Sequence, residues 1–290
     1  MIYDLTGKVA LITGASQGFG FEIAKGYLLS GAKIMICGRD EDALRIAHQN
    51  LAQINSSNIS SQVGDVSNSI DAKNLVETTL DKFSGLHVLV NNAGIYGPKD
   101  PIESVNWDDW IKAININLLG SVLMSKNVIK YMKMQKSGKI IQISGGGATS
   151  PLPNLSAYAA SKAAIVRFAE TLALELRGTG IDVNSLAPGA LNTRLLDEII
   201  EAGPAKVGAG FYAKALEQKE NGGTPFKFGV DLSLFLASNF SNGITGKLIS
   251  ANWDNWKEWP RHVEELNNSD VYTLRRIIGS DRLIGWGDIS

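Results

Sequence analysis

Tyr158 and Lys162 stand four residues apart in the stretch Ser156-Ala157-Tyr158-Ala159-Ala160-Ser161-Lys162-Ala163. On a helix that spacing brings both side chains to one face. A free phenol has a pKa of about 10, too high for easy proton exchange near neutrality. A neighbouring ammonium stabilises the phenolate and lowers that value. The pair therefore suits proton transfer to a carbonyl oxygen that gains negative charge on reduction. A second chemical feature is Thr13-Gly14-Ala15-Ser16-Gln17-Gly18-Phe19-Gly20, which follows an apolar run at 9–12 and opens a helical stretch. Glycines there let the backbone approach a pyrophosphate, and a helix start offers unpaired N–H donors. Each feature alone has a plain alternative, a helix-surface pair for YxxxK and a Gly-rich turn for the loop. The surrounding elements decide between them.

Apolar strand-like runs at 9–12, 33–37, 59–63, 88–90, 139–143, 182–186 and 247–249 alternate with longer stretches of helical period. Those stretches span 18–29, 41–54, 70–83, 107–133, 158–177 and 230–238. The alternation predicts an α/β fold, a doubly wound (Rossmann-type) parallel seven-stranded sheet with helices on both faces. Residues 1–251 read as a single domain, within which 194–225, rich in Gly and Ala, read as a loop over the substrate. Residues 252–290 form an extension holding Trp253, Trp256, Trp259 and Trp286, expected to pack on the domain or a subunit interface and able to lie over the mouth of the sheet.

Ligands of such sheets bind beyond the carboxyl ends of the strands. There the loop spacing TGxxxGxG, rather than GxGxxG, resembles that of the short-chain dehydrogenase/reductase family. Further matches follow in family order: Asp65-Val66, Asn91-Asn92-Ala93-Gly94, Asn117 in Ile116-Asn117-Leu118-Leu119-Gly120, the YxxxK pair, and Pro188-Gly189 with Thr193. The resemblance covers residues 5–250 and implies hydride transfer between a nicotinamide cofactor and a carbonyl or secondary alcohol. It implies that Gly14, Ser16, Gln17, Gly18, Phe19 and Gly20 form the cofactor loop and that Asp65 and Val66 hold the adenine. Asn92 and Gly94 would line the ribose side, and Pro188 and Thr193 would hold the carboxamide. Tyr158 would be the acid/base, Lys162 would also bind the ribose, and Asn117 would position a water in the relay linked to Lys162. The resemblance further implies a homodimer or homotetramer joined through the helices carrying Asn117 and Tyr158.

Cofactor choice is usually set at the end of the second strand, where an acid accepts from the ribose 2′-hydroxyl and a cation pairs with a 2′-phosphate. Here the residues are Gly38 and Arg39, and arginine suits phosphate. NADP(H) is therefore favoured over NAD(H). Gln17, at a position often basic in users of the phosphorylated cofactor, and Asp40, which could neutralise Arg39, argue the other way.

One expected part is absent. The family usually carries a serine thirteen residues before the tyrosine, and that position is Gly145, within Ser144-Gly145-Gly146-Gly147-Ala148-Thr149. Ser144 is the favoured replacement, Thr149 or Ser150 folding back is a second, and loss of the donor is a third. Loss of the donor keeps a different class of function open, a dinucleotide-binding sensor or scaffold with little turnover. A sugar-nucleotide epimerase or dehydratase fits less well, because those relatives carry TGxxGxxG and a larger substrate domain.

The formal net charge of −1 gives no footprint for nucleic acid. No run approaches the roughly 18 apolar residues of a membrane span, and no leader-like pattern opens the chain, so a cytoplasmic protein is expected. Cys37, the single cysteine, reads as a small buried hydrophobe. No metal site is expected. Tyr96, Leu195, Leu196, Ile199, Phe211 and Tyr212 are expected pocket walls. Arg261, His262, Arg275 and Arg276 could meet an anionic group, although solvated charge or an oligomer contact is the favoured reading for them.

Overall fold

The computed structural model describes residues 3–284. The strands β1 (Val9–Thr13), β4 (Val88–Asn91) and β5 (Gly138–Ile143) are buried at every residue. Continuous apolar runs of this kind suit a sheet covered on both faces. With β2 (Lys33–Gly38), β3 (Ile59–Val63), β6 (Ile181–Ala187) and β7 (Leu248–Ser250) they form one parallel sheet in the order β3-β2-β1-β4-β5-β6-β7. The order reverses between β1 and β4, where Ile12 pairs in register with Val90, and a crevice opens beyond that switch point.

Successive side chains on a strand point to opposite faces. One face, with Ala10, Ile12, Ile34, Ile36, Val90, Ile141 and Ile143, is covered by α1 (Gly18–Leu29), α2 (Glu41–Asn55) and α9 (Phe226–Ala237). The other, with Val9, Leu11, Met35, Leu89, Ile140 and Val183, is covered by α3 (Ser69–Phe83), α5 (Ser121–Gln135) and α6 (Ser156–Glu175).

The stretch 107–133, expected as one helix, is interrupted. After α4 (Trp107–Ile114) the residues Asn115–Gly120 make a π-helical turn before α5 begins. Two tertiary contacts act on that turn: the Asn117 side chain is tied to Ile95 in the loop after β4, and a Cβ on Gly120 would lie 2.7 Å from Val66 Cγ2. Such single-turn bulges are frequent at functional sites.

The stretch 194–225 is likewise not a loop. It is a helical hairpin of α7 (Arg194–Val207) and α8 (Ala209–Asn221), kinked at Gly203 ahead of Pro204 and turned at Gly208, both at positive φ. Leu196, Ile199, Val207 and Ala215 close against Leu155 in a core of their own, which explains how a segment interrupted by glycines stays helical.

The tail runs beside β7 and α9, not over the mouth of the sheet. The Leu248 amide donates to the Tyr272 carbonyl (2.8 Å), and Lys247 Nζ donates to the carbonyls of Ser269 and Val271. These contacts cover an edge strand whose open groups would otherwise invite pairing. Trp256 is buried against Phe235 and Trp259 against Tyr272, while Trp253 is exposed. Trp286 lies outside the described residues. No helix among the described residues is long and apolar enough to cross a membrane.

Candidate active site

Beyond the carboxyl ends of β1, β2 and β4 lies a cavity of about 540 Å³. Its wall includes Gly14, Ser16, Gln17, Gly18 and Phe19 from the loop after β1, Asp65 and Val66 after β3, Asn92 and Gly94 after β4, and Thr193. The loop is shaped by close approach. Gly14, at φ 62, would place a Cβ 2.8 Å from Ala93 Cα, so only glycine fits both the dihedral and the space. A Cβ on Gly20 would collide with the Asn92 side-chain amide and the Gly14 carbonyl. That amide donates to the carbonyls of Thr13 (3.0 Å) and Gly14 (2.9 Å), while Thr13 Oγ1 accepts from the backbone N–H groups of Asn92 and Ala93. The Asn92 side chain thus straps the glycine loop to β4. The α1 start carries no acidic residue in its first turn and no side-chain cap, which leaves its N–H groups available to an anion.

At the adenosine end, a Cβ on Gly38 would stand 3.3 Å from Ser16 Oγ. Arg39 is half-exposed and loosely paired with Asp65 (3.7 Å). Burial pushes the Asp65 carboxyl up. Hydrogen bonds from the Ser67 hydroxyl and amide, with Arg39 and Lys112 nearby, outweigh that and hold it below the usual carboxylate range. Pro188 packs near Phe19 and Gly229 and does not line this cavity, whereas Thr193 does.

At the inner end, Asn117 Oδ1 accepts from the Ile95 amide (2.9 Å) and its Nδ2 donates to the Ile95 carbonyl (2.8 Å) and Ser161 Oγ (3.0 Å). One side chain thereby links the loop after β4 to α6. Lys162 is buried, donates to the Ile143 carbonyl (2.7 Å), and lies 5.6 Å from the centre of the Tyr158 ring. A Cβ on Gly94 would stand 3.8 Å from Lys162 Nζ, so the ammonium sits at the ribose side of the cavity. Burial pushes the Lys162 ammonium down to about 8. The Tyr158 phenol is raised, first by burial and then by Tyr96, so Tyr158 is protonated at neutrality.

Gly145 adopts an extended backbone, and a Cβ there would stand 3.0 Å from the Tyr158 hydroxyl oxygen. Ser144 Oγ is enclosed and has no hydrogen-bond partner. Tyr96 and Tyr158 meet in an edge-to-face arrangement, 4.6 Å between ring centres. Tyr96, Leu152, Tyr158, Phe211 and Tyr212 pack against the α7–α8 core. Lys99 ties α7 to the loop after β4 through Glu198 (3.0 Å). In the tail, Arg261, His262 and Arg275 pair with Glu258, Glu265 and Asp281, and none of these, nor Arg276, lines the cavity. Sequence reasoning missed the Ser16–Gly38 apposition and the Lys99–Glu198 tether, since neither pair has a local signal.

A family model described as short chain dehydrogenase matches residues 8–203, more than half of the chain. The chain is 36% identical over 198 residues to a 3-oxoacyl-[acyl-carrier-protein] reductase of Synechocystis sp., covering 67% of this chain and 78% of that protein. It is 37% identical over 196 residues to 11-beta-hydroxysteroid dehydrogenase-like 3 of Arabidopsis thaliana, a match covering 66% of this chain and 61% of the plant protein. Among solved structures, NAD+-bound xylitol dehydrogenase superposes with a TM-score of 0.77 at 26% identity, covering 84% of this chain and 97% of that one. An actinorhodin polyketide ketoreductase variant with NADPH gives 0.76 at 25% identity, covering 84% and 95%.

Proposed function

The chain belongs to the short-chain dehydrogenase/reductase family, and from that premise we propose an NADP(H)-dependent oxidoreductase that reduces a carbonyl to a secondary alcohol. The observation that carries the reading is convergence: Tyr158, Lys162 and Asn117 lie behind the cavity lining and meet the loop after β4, whose Gly94 and Ile95 line the cavity. The residues present fit a nicotinamide dinucleotide. The strapped glycine loop and open α1 start suit the pyrophosphate, and Lys162 would hold the ribose. Gly38 keeps a side chain away from Ser16, leaving Ser16 and Arg39 to meet a 2′-phosphate. When bound, the cofactor supplies the hydride.

Tyr158 gives its proton to the substrate oxygen: burial keeps the phenol protonated, and the Lys162 ammonium beside it is the group that stabilises the phenolate left behind. Lys162 supplies positive charge beside the phenol from a buried position, where such charge acts strongly. Asn117 fixes the loop and the helix between which the carbonyl enters, and its place beside Lys162 suits a relayed water. The α7–α8 hairpin, apolar toward Tyr158, excludes bulk water. The same reading includes a homodimer or homotetramer through the helices carrying Asn117 and Tyr158, which light scattering checks.

The test is NADPH oxidation with a panel of acetoacetyl thioesters, cyclic diketones, ketosteroids and keto-sugars. Tyr158→Phe should abolish turnover while NADPH titration by fluorescence is nearly unchanged. Near-wild-type rates in that variant would falsify the mechanism, and a wild type that binds NADPH yet reduces nothing in the panel would count against the enzyme reading.

A further inference from the structure

An oxygen gaining charge in a dry site is best met by more than one donor, and Gly145 brings no side chain to Tyr158 from the loop after β5. Ser144 is poorly placed to fill the gap. Neighbouring residues of an extended chain project to opposite sides. The side of Gly145 faces the Tyr158 hydroxyl, so Ser144 projects away from it, and its Oγ is sealed from solvent without a partner.

We propose that the Tyr96 hydroxyl is the second hydrogen-bond donor to the substrate oxygen. The proposal rests on the oxidoreductase reading above. Tyr96 follows directly on Ile95, which lines the cofactor cavity and is clamped by Asn117 through both its N–H and its carbonyl. The chain therefore leaves the cavity from a fixed point and brings the ring into an edge-to-face contact with Tyr158, 4.6 Å between centres. Lys99 Nζ lies 5.8 Å from the Tyr96 ring centre and is itself paired with Glu198 of α7. Among the described residues neither the Tyr96 nor the Tyr158 hydroxyl has a hydrogen-bond partner, so neither is committed elsewhere. Burial, with Glu198 nearby, pushes the Tyr96 phenol up to about 12. It stays a neutral donor over the working range, while Tyr158 is the phenol with the Lys162 ammonium beside it. Tyr96 thus takes the part usually played from position 145, reached from the loop after β4 instead of from the loop after β5.

The experiment uses the full chain with NADPH and the carbonyl compound of the panel that the wild type reduces fastest. Tyr96→Phe keeps the ring and removes only the hydroxyl. Its kcat should fall roughly 10²–10³-fold, the range for one lost oxyanion donor, with NADPH affinity unchanged. Gly145→Ser placed in the Tyr96→Phe background should restore at least about tenfold of that rate, a rescue that a packing role for Tyr96 does not predict. Ser144→Ala should stay close to wild type. A Tyr96→Phe enzyme with wild-type kcat, or a loss carried by Ser144→Ala instead, overturns the proposal. If Tyr158→Phe is dead in the same assay, that failure leaves the oxidoreductase reading standing. A wild type that reduces no member of the panel overturns both.

Discussion

A Cβ on Gly145 would stand 3.0 Å from the hydroxyl oxygen of Tyr158, closer than side chains normally pack. The space beside the phenol is therefore sensitive to side-chain size. Gly145→Val adds branches beyond that Cβ and should displace the hydroxyl from its productive position. Misplacement by about 1 Å can cost roughly 10²-fold in rate. Steady-state assays should show that loss in kcat, and titration should show NADPH affinity intact. A fully active Gly145→Val enzyme would place the substrate oxygen elsewhere.

The Ser16–Gly38–Arg39 corner should set cofactor choice. Arg39→Ala removes a charged hydrogen-bonding group, typically about 1.5–3 kcal/mol, from NADPH binding and almost nothing from NADH binding. Gly38→Asp should go further, because its carboxylate crowds Ser16 and repels a 2′-phosphate. Fluorescence titration of both variants with both cofactors measures the ratio. Equal weakening toward NADPH and NADH contradicts the assignment.

Lys162 should leave a mark on stability that needs no substrate. Its ammonium is depressed to about 8 by burial, from 10.5. Between those values the unfolded chain binds more protons than the folded one, so stability rises with pH. The contribution is present above 10.5 and lost as pH falls through 8. Urea unfolding of cofactor-free wild type and Lys162→Met should differ by a term that grows by up to roughly 3 kcal/mol across this window. A flat difference would mean the buried amine does not titrate there.

Trp256 should matter to folding and not to chemistry. It is buried beside Phe235 of α9, on the outer side of the sheet. Trp256→Ala should cost about 3–5 kcal/mol of stability, read as a lowered melting temperature, while the folded fraction binds NADPH normally. A change below about 1 kcal/mol would show that the tail packs more loosely than described.

The seven strands and the helices at 18–29, 41–54 and 70–83 were legible because periodicity and turn chemistry are local. The run Val9–Thr13 is apolar without alternation, and the glycine loop that follows contains its own dihedral demands. The YxxxK spacing likewise places Tyr158 and Lys162 on one face whatever surrounds them. Tertiary structure decided the rest through contacts between residues far apart in the chain. Asn117 ties a π-helical turn to Ile95, and Leu155 stabilises a hairpin at 194–225 that glycines alone suggest is a loop. Tail residues around Tyr272 find the open edge of β7. The same holds at the site: the sequence shows that position 145 lacks a side chain, but only folding brings Tyr96, sixty-two residues before Tyr158, into edge-to-face contact with its ring. The physical reason is that helical and strand periods act over a few residues. Which hydroxyl faces a reacting oxygen depends on where separate loops end, and packing of the whole sheet sets that.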